Sequence, residues 1–250
     1  MRFQGKAAFV TGAAIGLGRA FARALIGEGA AVAIADVDGE GAHRTAAELA
    51  SGGAQAIAVP CDVADEREAD AAVAAAIEKF GGIDILINNA GRHLMKYNQP
   101  FGALSRSDVR GLFDVNVMGT INCTLACRDS MRMRGGGVVL NISSAAGFLS
   151  ATPYGVSKLA VRGLTVAFAA ELAGERIRVN GIAPGLTNTE SALADLPQSL
   201  VDEFVRDLQL VRRLCTTDDI VSAMLYLCSA EASLITGETL KVTGGYPLTI

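Results

Sequence analysis

The segment Thr11–Gly18, TGAAIGLG, decides the fold of this 250-residue chain. It follows a short apolar run, Lys6–Thr11 (KAAFVT), that predicts a strand, and it leads into a stretch of helical periodicity, Gly16–Gly27. Glycines at such a turn let the backbone approach a pyrophosphate, and the free N–H groups at a helix start carry partial positive charge. The segment therefore predicts a dinucleotide-binding turn. The residues expected to contact the cofactor here are Gly12, Ala14, Ile15, Gly16, Leu17 and Gly18.

The rest of the chain repeats this alternation of short apolar runs and alanine-rich helical stretches. The runs are continuously apolar, which indicates strands buried on both faces, as in parallel sheets covered by helices. The sequence therefore predicts one α/β domain over residues 1–250, a single doubly wound parallel sheet of about seven strands with helices on both faces, as in the Rossmann fold. The predicted strands are 6–11, 31–36, 54–60, 83–88, 137–142, 176–182 and 239–243, and the predicted helices are 16–27, 39–51, 65–80, 105–134 (interrupted near Gly111), 153–173, 198–210 and 217–229.

Composition and charge argue against several classes of protein. With 50% hydrophobic and 19% charged residues and a net charge of −4, the chain has a large core and no basic excess for nucleic acid. No apolar run reaches the roughly 18 residues that span a membrane, and the N-terminus lacks a signal-peptide core, so we expect a cytoplasmic protein. The five cysteines and two histidines lack the spacing of a zinc site, so no metal is expected.

Two acidic positions and one loop extend the predicted cofactor site. Asp36 ends the second strand, where a carboxylate accepts hydrogen bonds from the adenosine ribose, and no Arg or Lys directly follows it to hold a 2′-phosphate. This favours NAD over NADP. Asp62, with Val63 beside it, follows the third strand and is expected near the adenine, although a helix cap is nearly as good an explanation. The loop Asn89-Ala90-Gly91 follows the fourth strand at the same sheet edge.

The segment Tyr154–Lys158, YGVSK, carries candidate acid–base chemistry. Residues at i and i+4 share a helix face, so the phenol of Tyr154 and the ammonium of Lys158 point the same way. A free tyrosine has a pKa of about 10, and a close positive charge is able to lower it by about three units. Lys158, with an oxidised nicotinamide ring, is therefore expected to bring Tyr154 towards working pH.

Taken together, these motifs resemble those of the short-chain dehydrogenase/reductase family over essentially the whole chain. The matching segments occur in the family's order and are TGAAIGLG (Thr11–Gly18), NNAG (Asn88–Gly91), NVMG (Asn116–Gly119), NISS (Asn141–Ser144), YGVSK (Tyr154–Lys158) and NGIAPGLTNT (Asn180–Thr189). The resemblance implies that Tyr154 is the general acid/base, that Lys158 lowers its pKa and binds the nicotinamide ribose, and that a serine of NISS polarises the substrate oxygen. It also implies that Asn116 holds a water that relays protons to Lys158. The residues Pro184, Gly185, Thr187 and Thr189 are implied to contact the nicotinamide or pyrophosphate.

One departure from the family pattern concerns the active serine. Ser144 fits the family's Ser-x-x-Gly register, but it precedes Tyr154 by only ten residues, and Ser143 by eleven, which is shorter than is usual. We therefore expect Ser144 to be catalytic, with Ser143 as the alternative if the short loop shifts the register. The loop 148–153 belongs to the substrate pocket, so its length also prevents transfer of a relative's substrate preference.

The favoured function is an NAD-dependent oxidoreductase that transfers a hydride between the cofactor and a secondary alcohol or ketone. Alternatives are an NADP-dependent 3-ketoacyl-type reductase and a catalytically silent dinucleotide-binding protein. The segments 92–104 and 186–210 are expected to form the substrate pocket and lid, with apolar contributions from Met95, Tyr97, Phe101, Leu193 and Leu196, and His93 is a weaker candidate for substrate contact. Apolar residues on several faces of the two long helices, among them Leu159 and Val166, predict a homodimer or homotetramer.

Overall fold

Seven short apolar strands pair in parallel to form the central sheet. In the computed structural model, which describes residues 1–93, 95–189 and 196–249, they are β1 (Ala7–Thr11), β2 (Ala31–Asp36), β3 (Ala56–Pro60), β4 (Ile85–Asn88), β5 (Gly137–Ile142), β6 (Ile177–Pro184) and β7 (Thr239–Val242). Their order across the sheet is β3-β2-β1-β4-β5-β6-β7. The chain thus builds the sheet outward in one direction from β1 and then, from β4 onward, in the other, which confirms the predicted doubly wound Rossmann architecture.

Helices connect the strands and cover both faces of the sheet. They are α1 (Gly16–Gly27), α2 (Gly39–Ala50), α3 (Glu66–Phe80), α4 (Arg106–Phe113), α5 (Gly119–Met133), α6 (Ala146–Leu149), α7 (Pro153–Leu172), α8 (Gln198–Glu203) and α9 (Thr217–Cys228). Short 3₁₀ turns occupy Met95–Asn98, Phe101–Ala103, Ala173–Glu175 and Ala230–Ala232. Within the described ranges, no helix has both the length and the apolar character required to cross a bilayer.

Alternate residues of each strand divide the core into two layers. On one face Val10 and Ile87 pack with Phe21 of α1 and Met224 of α9. On the other face Phe9, the residue before Val10 in β1, packs with residues of α3, α5 and α7. All are fully shielded or nearly so. Because successive side chains of a strand point to opposite faces, a continuously apolar strand fills both layers at once.

Two predicted helices differ from the structure in the same way. The 105–134 region is helical throughout and is not interrupted at Gly111. Instead it widens into a π-helical turn at Asp114–Met118, between α4 and α5. The predicted helix 198–210 ends its regular part at Glu203 and continues as a second π-helical turn, Phe204–Leu208. Such turns add a residue to the helical repeat, and hydrophobic periodicity alone does not reveal where that occurs.

Helix starts follow local polar residues. The side chain of Asp65 accepts hydrogen bonds from the backbone amides of Arg67 and Glu68 at the start of α3. The carboxylate of Glu68 accepts a hydrogen bond from the backbone amide of Asp62, at 2.8 Å, rather than from the amide of Asp65. At the start of α9, Thr216 and Asp219 form the reciprocal capping box. These caps fix the N-terminal ends of α3 and α9 close to strands whose carboxyl ends form the cleft described below.

A buried carboxylate fastens the opposite, amino-terminal edge of the sheet. Asp84 is 4% exposed and accepts bonds from the Ala7 amide (2.9 Å), the Lys6 ammonium (3.0 Å) and the Arg134 guanidinium (2.9 Å). Burial alone would raise the pKa of this carboxyl, but the hydrogen bonds from Arg134, Ala7 and Lys6 outweigh it and hold the pKa below its usual 3.8. Asp84 thus joins β1, the start of β4 and the end of α5.

We predict that Asp84→Asn lowers the free energy of unfolding by about 2–4 kcal/mol at pH 7, because it leaves buried donors without a charged acceptor. Since the folded pKa lies below the unfolded one, this contribution is present above pH 4 and disappears as pH falls through the folded pKa. Urea unfolding at pH 7 and pH 3 measures both effects. Asp129→Asn, which removes the carboxylate from an exposed i,i+3 pair, is the control and should cost less than about 0.5 kcal/mol. Equal effects of the two variants would contradict the assignment.

Candidate active site

A cleft of about 750 Å³ opens at the carboxyl ends of the central strands. Neighbouring connections leave β1 and β4 in opposite directions, so their loops separate and leave a crevice at this edge. The predicted site residues that line it are Gly12, Ile15, Gly16, Leu17, Asp36, Asp62, Val63, Asn89, Ala90, Gly91, Ser144, Tyr154, Lys158, Pro184, Gly185, Thr187 and Thr189. The other three, Ala14, Gly18 and Asn116, are buried and do not line the cleft.

The glycine turn is packed too tightly to carry side chains. Gly12 has φ +61°, and a Cβ on it would lie 2.8 Å from the Cα of Ala90. A Cβ on Gly18 would lie 2.2 Å from the carbonyl oxygen of Gly12. The amide of Asn89 fixes this contact because it donates to the carbonyls of Thr11 (3.0 Å) and Gly12 (2.9 Å). The bare backbone that results forms a cradle of the kind that a pyrophosphate requires.

Asp36 is held rigidly at the far end of the cleft. One carboxylate oxygen accepts the Ala14 amide at 2.9 Å, and the other accepts the Asp38 amide at 3.0 Å. Each oxygen keeps a free lone pair for a ligand hydroxyl. The nearby cation Arg44 forms ion pairs with Asp38 and Glu40. This end of the cleft therefore suits a diol better than a phosphate.

The Asp62-Val63 segment forms the neighbouring wall. Asp62 accepts the Ala64 amide at 3.0 Å, and the cap of α3 is Asp65, so the helix-cap explanation for Asp62 is wrong. The carbonyl of Val63 accepts a bond from Asn122. Gly119 packs so closely on Val63 that a Cβ there would lie 2.5 Å from it.

Tyr154, Ser144 and Lys158 meet at the other end of the cleft. Tyr154 lies in the first turn of α7, and Ser144 is near enough to its phenol to influence the pKa of that phenol. Ser143, the alternative, is 3% exposed and donates its hydroxyl to the carbonyl of Lys158 at 2.8 Å. The two serines thus point in opposite directions, as neighbours on extended chain do. Both serines contribute to the cleft lining, but the hydroxyl proton of Ser143 is committed to the Lys158 carbonyl, whereas the Ser144 hydroxyl keeps its proton available for a ligand.

Lys158 carries an unneutralised charge beneath the phenol. It is 5% exposed, its ammonium donates to the carbonyl of Ile142 at 2.8 Å and lies 6.0 Å from the ring centre of Tyr154. Burial lowers the pKa of Lys158 to about 8. Burial also raises the pKa of Tyr154, and the neighbouring Ser144 hydroxyl only partly offsets this rise. Within the protein alone, Lys158 therefore does not lower the pKa of Tyr154 below its usual value. The predicted lowering of that pKa requires further positive charge.

Asn116 sits in the π-helical turn and ties the site together from behind. Its amide donates to the carbonyl of Arg92 (3.1 Å) and to the hydroxyl of Ser157 (3.0 Å), and it accepts the Arg92 amide (2.8 Å). Ser157 in turn donates to the carbonyl of Tyr154 at 2.8 Å. Asn116 therefore connects the loop after β4 to the first turn of α7.

The substrate end of the cleft is mostly apolar. His93, Met95 and Leu196 line it as predicted, whereas Tyr97 is buried elsewhere, Phe101 is exposed outside the cleft, and Leu193 lies outside the described residues. Sequence reasoning missed Leu149, Phe204 and Tyr246 as lining residues. Phe204 and Tyr246 form an edge-to-face pair at 5.4 Å. Phe204 falls inside the predicted lid, but nothing local in the sequence marks Tyr246.

The parallel sheet, the bare backbone turn and the serine–tyrosine–lysine group together define the class of dinucleotide-binding α/β oxidoreductases. Comparison with known proteins makes this more specific. Residues 12–247 match a family model described as enoyl-(acyl carrier protein) reductase. An uncharacterized oxidoreductase of Mycobacterium tuberculosis is 42% identical over 97% of this chain and 98% of its own length.

Two further similarities cover nearly the whole chain. Dehydrogenase/reductase SDR family member 4 of Rattus norvegicus is 37% identical over 97% of this chain and 87% of its own length. A solved structure described as 7alpha-hydroxysteroid dehydrogenase complexed with NADH and 7-oxo glycochenodeoxycholic acid superposes with a TM-score of 0.90, at 34% identity, over 98% of this chain and 95% of the other. This chain belongs to the short-chain dehydrogenase/reductase family.

Proposed function

We propose that the protein is an NAD-dependent oxidoreductase that interconverts a secondary alcohol and a ketone. The observation that carries this proposal is a single cleft lined by Ser144, Tyr154 and Lys158 at one end and by the glycine turn with Asp36 at the other. A dinucleotide that extends along the cleft has its reactive ring at the end where a proton donor is held. The solved structure of a relative complexed with NADH supports the same cofactor.

The residues present fit NAD. The turn Gly12–Gly18 offers backbone without side chains for the pyrophosphate, as the blocked Cβ positions of Gly12 and Gly18 indicate. Asp36 accepts ribose hydroxyls and repels a 2′-phosphate. Asp62 and Val63 would hold the adenine, Asn89, Ala90 and Gly91 the adjoining ribose, and Pro184, Gly185, Thr187 and Thr189 the nicotinamide side. When bound, NAD supplies the hydride acceptor, and NADH the hydride donor.

The protein's own residues manage the proton and the substrate oxygen. Tyr154 holds at its phenol oxygen the proton that a ketone gains and an alcohol loses. Ser144 donates a hydrogen bond to the same substrate oxygen and stabilises the charge that develops on it. Lys158 keeps positive charge beneath the phenol, and Asn116 fixes the turn of α7 that carries both. Asn116 is also the residue proposed to hold a proton-relaying water.

The alternatives fit less well. An NADP-dependent 3-ketoacyl-type reductase would place a phosphate against the Asp36 carboxylate, and Arg44, which already pairs with two acids, would have to compensate. A silent dinucleotide-binding protein would have no need to bury an unpaired lysine beside a tyrosine, which costs stability. The similarity to the 7alpha-hydroxysteroid dehydrogenase of Escherichia coli favours an alcohol substrate as well.

We predict that Tyr154→Phe lowers turnover by two to four orders of magnitude, the usual contribution of a general acid–base group, because it removes the proton donor but keeps the ring. The test is a panel of secondary alcohols with NAD and NADP, followed by spectrophotometry of NADH formation. NADH affinity, measured by fluorescence titration, should stay within threefold. Near-normal turnover of the variant would contradict the role, and a wild-type preference for NADP would contradict the cofactor.

We predict different effects for the two serines. Ser144→Ala should lower kcat at least a hundredfold, because one hydrogen bond to a developing oxyanion contributes about 3–4 kcal/mol. Ser143→Ala, the matched control, loses a structural bond to the Lys158 carbonyl and should change kcat less than tenfold while it lowers thermal stability. The reverse ranking would show that the short loop has moved the site to Ser143.

We also propose the arrangement of the whole chain. Residues 1–250 form one cytoplasmic domain in which 186–210 acts as a lid over the substrate; residues 190–195 of this lid lie outside the described residues. Met118 and Leu125 (44% and 47% exposed) on the α5 side and Leu159 and Val166 (43% and 59% exposed) on α7 leave apolar surface uncovered. A twofold interface through this surface is proposed for a homotetramer or homodimer.

We predict that light scattering at micromolar concentration gives two or four times the 25.8 kDa chain mass. Val166→Glu, which places a charge in the middle of the uncovered surface, should shift the mass towards the monomer by burying an unpaired carboxylate at the interface. Ala47→Glu, at an exposed position on α2, which packs on the opposite face of the sheet, is the control. A monomeric wild type would exclude this assembly.

A further inference from the structure

The segment that carries Ser144 is short and closely applied to α7. Gly147 lies so near the α7 backbone that a Cβ on it would be 2.8 Å from the carbonyl carbon of Lys158. Backbone bonds from Gly147 to Ser144, from Phe148 to Ala145 and from Ser150 to Ala146 wind the segment into α6. Its two ends, Ser144 and Leu149, both line the cleft. Any shift of this turn therefore moves the serine relative to Tyr154.

Arg162 contacts this turn from outside the cleft. It lies one helical turn beyond Lys158 on α7, so Tyr154, Lys158 and Arg162 follow one another at spacings of four residues. Its guanidinium donates to the carbonyl of Gly147 at 3.0 Å and stacks on the ring of Phe148, with the guanidinium carbon 3.6 Å from the ring centre. Both contacts fall on adjacent residues of α6.

The charge of Arg162 is poorly compensated, which argues against a merely structural role. Among the described residues it has no carboxylate partner, and its Nε is shielded from solvent without a hydrogen-bond acceptor. Burial accordingly lowers its pKa. An apolar side chain of similar length would pack on Phe148 without that desolvation cost. What such a side chain lacks is a donor to the Gly147 carbonyl combined with a plane for the Phe148 ring.

A second cation completes the arrangement. Lys241 of β7 lies 5.1 Å from the centre of the same Phe148 ring, and its ammonium also contacts the carbonyl of Pro247 and the hydroxyl of Thr249. Tyr246, next to Pro247, lines the substrate end of the cleft. Phe148 is thus held between α7 and the C-terminal segment.

We propose that Arg162 is a positioning residue that sets Ser144 against Tyr154 by clamping Gly147 and Phe148. This inference rests on the proposed function, because it takes Ser144 as the residue that polarises the substrate oxygen. The clamp is required because the chain between Ser144 and Tyr154 is short and contains only one turn of helix to fix it. Arg162 touches neither substrate nor cofactor and acts through the serine.

A double-mutant cycle tests the proposal. Arg162→Met should lower kcat at least tenfold in the wild-type background, with NADH affinity within threefold, because the serine is misplaced while the cofactor cradle is untouched. In the Ser144→Ala background the same change should alter kcat less than threefold, since the group it positions is already absent. Arg162→Lys should recover part of the loss. If the kcat losses of Arg162→Met and Ser144→Ala multiply in the double variant, the proposal is overturned. A kcat of Arg162→Met within twofold of wild type would overturn it as well.

Arg178→Met is the matched control. Arg178 also donates only to backbone carbonyls, those of Ile235, Leu227 and Ser229, and burial lowers its pKa as well, but it lies at the opposite edge of the sheet. It should lose thermal stability and retain kcat below its melting temperature. A kcat loss equal to that of Arg162→Met would show a general loss of structure and overturn the positioning role.

Hydrogen exchange separates this proposal from the proposed function. Amides of 147–150 should exchange at least tenfold faster in Arg162→Met and unchanged in Arg178→Met, whether or not a substrate is found. Unchanged protection in Arg162→Met overturns the clamp. If the wild type oxidises no secondary alcohol with NAD, the proposed function fails, and the exchange result still decides whether Arg162 holds the turn.

Discussion

The close contact between the first strand's glycine turn and the loop after β4 is the constraint on which the rest of the site depends. Gly12 lies so close to Ala90 that no side chain fits between them. Four hydrogen bonds from Asn89 and Ala90 to Thr11 and Gly12 join the two loops. These loops follow strands that are adjacent in the sheet yet distant in sequence. The contact therefore fixes the floor of the cleft and the distance between its two ends.

The second dependency is the attachment of α7 to the end of β5. Lys158 donates to the carbonyl of Ile142, and Ser143 donates to the carbonyl of Lys158, so strand and helix exchange bonds at one point. Of the two residues that follow β5, Ser143 consequently uses its hydroxyl for a structural bond, whereas the hydroxyl of Ser144 stays at the cleft. This attachment sets which of the two serines faces the cleft, whereas the exact position of Ser144 relative to Tyr154 also depends on the short turn that follows it.

Much of this was predictable, for identifiable physical reasons. The boundaries of α1, β2 and β5 follow from glycine turns and uninterrupted apolar runs, which are local signals. The π-helical turn around Asn116 was not predictable, since the extra residue per turn is stabilised by the side-chain bonds of Asn116 to Arg92 and Ser157, which come from elsewhere in the chain. For the same reason Tyr246 was missed: only the fold brings the end of β7 to the cleft. The raised pKa of Tyr154 was also missed, because sequence spacing reports the neighbouring charge but not the burial that opposes it.

The distribution of charge around the cleft explains why the buried cation Lys158 is tolerated. Lys158 at a pKa of about 8, against 10.5 when free, carries a cost of about 3 kcal/mol at neutral pH. A carboxylate beside Lys158 would remove that cost, but it would also raise the pKa of Tyr154 further and cancel the positive potential that a phenolate and a substrate oxyanion require. In the part of the chain that the structure describes, the acids that line the cleft, Asp36 and Asp62, lie at the end that we propose for the adenosine ribose. Negative charge thus lies at the end proposed to bind hydroxyls, whereas the end with Tyr154 carries a cation and neutral donors. The burial of Lys158 that this requires lowers the stability of α7.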